Sequence, residues 1–305
     1  MASLKTIKGK ITATAKTRKV TKAMEAVSAA KMRKAQVKAL TDRAYARAAV
    51  SVLSRLSGSA TLKRHAFMNE RAVKSALYVV VTSDKGLAGA LNSGVLKAVV
   101  NDIALLGLTP SNVHIVAVGR RANDFFFRRG FVMDGYFENA DGKVDADAIR
   151  RVVEEGLIEY RLENVDTVRV AYQSFISTFE QRPTVRTMLP FSLSQLSAIV
   201  SDIVPAKGKF SSEEKTITAP HDYTVEPSEE GVIDALVPKL AAIFFYHALL
   251  ESQASEHSAR MVAMKNASDK AGDKVRDLTR VFNRVRQASI TREVSEIIGG
   301  IEAMA

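Results

Sequence analysis

Apolar residues along this chain fall into three regimes. From the amino end they recur at spacings of three and four, at Leu4, Ile7 and Ile11 and then at Val20, Met24 and Val27. That period is helical. With Gly9 the sole glycine before Gly58 and no proline, the pattern predicts one helix over residues 2–57. Globular helices average about 11–12 residues, so a helix this long needs a partner along its side. Near residue 72 the texture changes. ALYVVVTSD (76–84), NVHIVAVGR (112–120) and DTVRVAYQSF (166–175) are short apolar runs rich in β-branched residues, which predict strands. Between them LNSGVLKAVVNDIALLG (91–107) and DADAIRRVVEEGLIEYRLE (145–163) read as helices. Strands alternating with helices predict a mostly parallel sheet.

Residues 205–227 are polar and irregular, with Pro205, Pro220 and Pro227. The third regime is helical from about 229 nearly to residue 305, with Pro238 expected to kink or interrupt it. Val275, Leu278, Phe282 and Val285 set one phase of its stripe, and Ile290, Val294, Ile297 and Ile301 continue in a shifted one. The fold class that follows is α/β. N- and C-terminal helices form a long antiparallel coiled coil, with a Rossmann-like α/β domain inserted between them. The expected divisions are 1–60, 70–225 and 228–305. The apolar end IIGGIEAMA (297–305) is received by a partner or folds back on its own chain.

Charge sharpens this picture. The net charge is +11, yet residues 1–64 hold 16 Lys and Arg against Glu25 and Asp42, while the remainder is slightly acidic. The stretch KAMEAVSAAKMRKA (22–35) is slim and basic, which suits an acidic partner or a solvated face. There is no cysteine, which removes disulfides and thiol chemistry. The stretch 233–250 comes nearest to a membrane span but carries Asp234, Pro238, Lys239 and His247, so a soluble location is expected.

Candidate chemistry is sparse. The loop TSDKGLAGALN (82–92) lies between strand and helix, where phosphates are often cradled, but it fits neither dinucleotide nor P-loop spacing. Gly86 and Gly89 then serve a tight turn and close helix–sheet packing. His247 and Glu251 are a helical i,i+4 pair without a third ligand at metal-binding spacing. Arg286, Gln287, Thr291 and Glu293 cluster within two helical turns and present donors and acceptors to a partner or to solvent. Two rival readings remain: a nucleic-acid-binding coiled coil, which lacks aromatic residues for stacking, and a small-molecule enzyme, which lacks convergent polar groups at the strand ends.

Several motifs together are specific. KTRKVTKAMEAVSAAKMRKAQ (16–36), TSDKGLAGALN, FFFRRGF (125–131), ESQASEHSARMVAMKNASDKAGD (251–273) and NRVRQASITREVSEIIGG (283–300) closely resemble the gamma subunit of F-type ATP synthase, the central rotor shaft. Ile301 departs from the alanine usual in that family. The resemblance implies a shaft that enters a ring of alpha and beta subunits and itself holds no catalytic site, cofactor or metal. It implies a foot near the epsilon subunit and the c-subunit ring. Rotation then couples ion flow to ATP synthesis or hydrolysis in the beta subunits. By the same resemblance Lys22, Met24, Arg33, Arg286, Gln287, Thr291 and Glu293 face the alpha/beta head. Tyr223 and Glu226 in HDYTVEP (221–227) face the c ring or epsilon. The implied location is peripheral, on the cytoplasmic face of a bacterial inner membrane or the matrix side of the mitochondrial one.

Overall fold

A computed structural model describes residues 4–41, 64–139, 146–191 and 228–302. It divides into two compact units, Ala30–Ala259 and the pair Met1–Ala29 with Arg260–Ala305.

The larger unit holds a five-stranded sheet in the order β3-β2-β1-β4-β5. The strands are β1 (Ala76–Val81), β2 (Val113–Val118), β3 (Val132–Phe137), β4 (Thr167–Phe175) and β5 (Gln181–Leu189). The first four are parallel and β5 is antiparallel to β4. All six residues of β1 are buried, as a central strand covered on both faces requires. Its alternation feeds two cores. Leu77, Val79 and Val81 pack with Ile149, Val152, Val153 and Leu157 of α4 (Ala146–Arg161). Ala76, Tyr78 and Val80 pack with α2 (Leu91–Leu105) and α3 (Arg120–Phe127). The first core is closed by Ile233, Val237, Leu240, Phe244, Phe245 and Leu249 of α5 (Glu229–Glu302).

α5 includes an 18-residue window apolar enough by length and composition to cross a membrane, with mean hydropathy 1.6. Its apolar residues from Ile233 to Leu249 are instead spent on this core. Of the two outcomes expected at Pro238, an interruption does not occur, since α5 continues as one helix from Glu229 to Glu302. An interior proline costs about 3 kcal/mol, which the apolar contacts on either side offset. The predicted amino-terminal helix is present as α1 (Leu4–Thr41), and its expected continuation over 42–57 lies outside the described residues.

Three elements were not visible in the pattern. β3 reads VMDGYF and β5 reads QRPTVRTML, each with residues that are poor strand formers. Both are edge strands, where one side of the ladder is empty and such residues are tolerated. α3 is only 8 residues long, too short for a helical period to show.

A polar network ties β1, α2 and β4 together inside the second core. The Tyr78 hydroxyl donates to Asp102 Oδ2 at 2.6 Å, and Arg169 Nη1 reaches both Asp102 oxygens at 2.7 Å. Burial, then the hydrogen bond to Asp102, pushes the Tyr78 phenol well above its ordinary value. The unfolded chain ionises this tyrosine near pH 10 while the folded chain keeps the proton, so stability present below pH 10 is lost as pH rises beyond it. By pH 11 the loss from this residue is roughly 1 kcal/mol. Unfolding free energy measured from pH 9 to 11 is therefore expected to fall more steeply in the parent chain than in Tyr78→Phe; parallel slopes would contradict this.

Candidate functional site

The smaller unit pairs residues 4–29 of α1 with 260–302 of α5. Its seam is a heptad. Along α1 the covered positions include Leu4, Ile7, Ile11, Thr14, Thr21, Glu25 and Ser28, stepping by three, four or seven, with Ala15, Met24 and Ala29 half-buried beside them. Along α5 they include Met264, Ser268, Ala271, Val275, Leu278, Phe282, Val285 and Ser289. Such spacing is that of a left-handed coiled coil. Arg18 lies against the partner helix, for a side-chain carbon added at Gly272 would sit 3.3 Å from its Nε. The helices run antiparallel. Fourteen residues before Arg18 stands Leu4, the same step beyond Gly272 reaches Arg286, and the seam fades at Ser289.

The seam corrects the sequence reading of α1. Val20 and Val27 were expected in the buried stripe, but they are 58% and 56% exposed. The buried phase runs instead through Thr21 and Ser28, 9% and 3% exposed. Small polar residues can sit there because their hydroxyls bond to their own helix, as Thr21 does to the carbonyl of Thr17 at 3.1 Å. The signal that could have found this is the seven-residue recurrence Ile7–Thr14–Thr21–Ser28. An apolar row thus lies on the outer face of α1.

A second apolar row is longer. Past Ser289 every described side chain of α5 from Ile290 to Ile301 is exposed. Ile290, Val294, Ile297 and Ile301 step by four, three and four along one face, with Ile298 beside them, at exposures from 48% to 64%. The alternative that this end folds back on its own chain does not hold for the described residues. All five are β-branched, which does not favour a solvated helix. Gly299 and Gly300 have nothing within 4 Å of an added Cβ, so their own chain does not demand glycine there. Each also weakens the helix by about 1 kcal/mol. An end of this composition is stabilised by contact with a partner.

The candidate contact residues fall at two levels. Lys22 is exposed and pairs with Glu25 at 3.1 Å, and Met24 beside it is half-buried. By the antiparallel register Met24 lies level with Asn266, about 30 Å from Arg286 at 1.5 Å per residue. At the far level Arg286 and Gln287 are exposed. The Thr291 hydroxyl donates to the carbonyl of Gln287 at 3.0 Å, and the Ser289 hydroxyl donates to Glu293 Oε1 at 3.4 Å. Arg33 is exposed on the part of α1 that belongs to the larger unit. Tyr223 and Glu226 lie outside the described residues.

The glycine loop turns its polar groups inward. Gly89 takes the left-handed conformation at φ 61°, as the tight turn needs. Asp84 Oδ1 accepts from the N–H of Arg120 at 2.7 Å, and Thr82 Oγ1 accepts from that of Ala122 at 2.9 Å. Two amides at the amino end of α3, where an anion would bind, are thus taken by this loop. His247 and Glu251 pair at 3.3 Å, and among the described residues no group of three or more His, Asp or Glu is placed to hold a metal.

A helix pair with an apolar, uncovered end defines a subunit built to be received by a larger assembly. A family profile described as ATP synthase matches residues 3–304. ATP synthase gamma chains of Cupriavidus metallidurans and Heliobacterium modesticaldum are 37% and 36% identical, with the whole of each chain covered; that of Staphylococcus epidermidis is 33% identical over the same extent. Among solved structures, a chain of the central stalk and c ring of Tetrahymena thermophila mitochondrial ATP synthase matches with a TM-score of 0.59 and 26% identity, covering 82% of this chain and 99% of that one. A chain of Euglena gracilis mitochondrial ATP synthase matches in fold with a TM-score of 0.64 and 18% identity, covering 99% and 94%. The chain belongs to the ATP synthase gamma chain family, and its fold is that of the central stalk.

Proposed function

We propose that the chain is the rotating shaft of an F-type ATP synthase. It passes torque between a membrane c ring and a head of alpha and beta subunits, and the head carries the chemistry. The observation that carries this reading is the end of α5, whose exposed isoleucine row has no cover among the described residues. A ring of subunits around that end would bury it. The slim, basic α1 suits the same surroundings, since exposed Lys22 and Arg33 meet acidic loops through screened contacts that no single angle traps.

In this reading residues 1–60 and 228–305 make the shaft and 70–225 the foot. Lys22, Met24, Arg33, Arg286, Gln287, Thr291 and Glu293 contact the head. Tyr223 and Glu226 meet the c ring or epsilon. The subunit is peripheral to the membrane, on the cytoplasmic face in a bacterial host.

Met24→Lys tests the coupling role. A new ammonium beside the half-buried Glu25 faces the acidic loop of beta and makes a strong rotor–stator pair. In the reconstituted complex, protons pumped per ATP are expected to fall by roughly half or more and to recover in part at high salt, where such a pair is screened. An unchanged ratio at both salt concentrations would overturn this placement of Met24.

A further inference from the structure

The stretch ESQASEHSAR (251–260) buries Ser252, Ser255 and Ser258, the last two completely. Here the contact of α5 with the sheet changes in kind. Up to Leu249 its packing on the sheet is apolar, while Asp234 accepts from Arg161 Nη2 of α4 at 3.1 Å, and apolar contact is non-directional. It holds a helix against a sheet without fixing the angle of the helix about its own axis. Beyond it, the Ser255 hydroxyl donates to the backbone carbonyl of Gln173 at 3.1 Å, and the Ser258 hydroxyl donates to that of Thr178 at 2.6 Å. Hydrogen bonds are directional. Two of them, three residues apart on one helix face, fix that angle.

The acceptors are suited to the purpose. Gln173 stands opposite Pro183 in the β4–β5 ladder, and proline has no N–H to give. On its other side β1 has ended at Val81, and the N–H of Ser83, which would continue that ladder, goes to Asn92 Oδ1. Neither neighbouring strand supplies a donor, and Ser255 does. Thr178 lies in the turn between β4 and β5, where its carbonyl also accepts from Gln181 Nε2 at 3.1 Å. Both serines belong to the larger unit, within five residues of its last member, Ala259.

We propose that Ser255 and Ser258 are positioning residues that pin the rotational angle of α5 on the β4–β5 hairpin, so that torque passes between the shaft helix and the α/β unit without slip. This rests on the rotor reading above. Two variants test it in the complete, membrane-reconstituted complex. In Ser255→Ala/Ser258→Ala, ATP hydrolysis is retained while protons pumped per ATP fall to about half or less of the parent ratio. Thr178→Cys/Ser258→Cys, made together with Ser255→Ala in a chain that has no cysteine of its own, replaces both hydrogen bonds by one covalent link. Oxidised, it pumps at the parent ratio; reduced, it pumps like the alanine variant. A parent ratio in the alanine variant, or equal pumping by the oxidised and reduced cysteine pairs, would overturn the proposal. Failure of the rotor reading itself looks different, since the unaltered chain would then support no ATP-driven pumping at all.

Discussion

Replacing Gly119 by alanine is expected to destabilise the α/β unit severely. Gly119 ends β2 and starts α3 with φ 95° and ψ 141°, a conformation open essentially to glycine alone. Its N–H donates to the carbonyl of Phe137 at 2.8 Å, which holds β3 against β2. A Cβ there would lie 2.1 Å from the backbone oxygen of Thr82 and 2.9 Å from its Oγ1. Nothing flexible can give way. The oxygen is backbone, Thr82 N donates to the carbonyl of Val118 at 2.7 Å, and the hydroxyl caps α3. Strain and clash together cost roughly 4 kcal/mol or more, a large part of a domain's stability. Gly89→Ala is the control. Its φ is also positive, at 61°, but nothing lies within 4 Å of an added Cβ, so it is expected to cost only about 1 kcal/mol. Urea unfolding midpoints compare the two; similar midpoints would show that β1 and the β2–α3 turn do not approach as described.

The second large effect is expected on assembly and not on folding. Ile297 and Ile301 are 63% and 64% exposed, so Ile297→Asp/Ile301→Asp removes little burial among the described residues. Its unfolding free energy is expected to stay within about 0.5 kcal/mol of the parent, as for other surface changes. In the proposed sleeve of head subunits the same aspartates are desolvated without partners. Each is expected to weaken binding by at least tenfold, or about 1.4 kcal/mol. Titration of the chain against a head of alpha and beta subunits, with ATPase as a second readout, measures this. Unchanged affinity would mean that the isoleucine row is not what the head grips.

How far the sequence carried the reading depended on where periodicity survives. The central strands were legible because β1, β2 and β4 are buried and β-branched. The edge strands were not, because an edge tolerates Gly135, Pro183 and Arg186 within the ladder. The second half of the α5 stripe was legible because Val275, Leu278, Phe282 and Val285 are both apolar and covered. The middle of α1 misled, because its seam is built from Thr14, Thr21 and Ser28 while its valines face outward. In the proposed shaft the usual rule that apolar residues mark the inside is inverted, because its apolar surface would be buried by its partners. That is also why the uncovered row at the end of α5 could be seen in the pattern, while its lack of cover needed the fold. The proposed serine clamp could not be read from the sequence, since it depends on the Gln173 carbonyl, left open by Pro183 and by the end of β1, and on the Thr178 carbonyl in the β4–β5 turn.

The proposed function requires the chain to rotate inside the head. The chain lacks cysteine, so Leu105→Cys, at a position 86% exposed at the end of α2, gives it one attachment point for a bead. With the head fixed to a surface and ATP supplied, the bead is expected to turn in one direction in discrete steps, three to a revolution for a ring of three catalytic sites. A head that hydrolyses ATP while the bead only fluctuates about one angle would contradict the account.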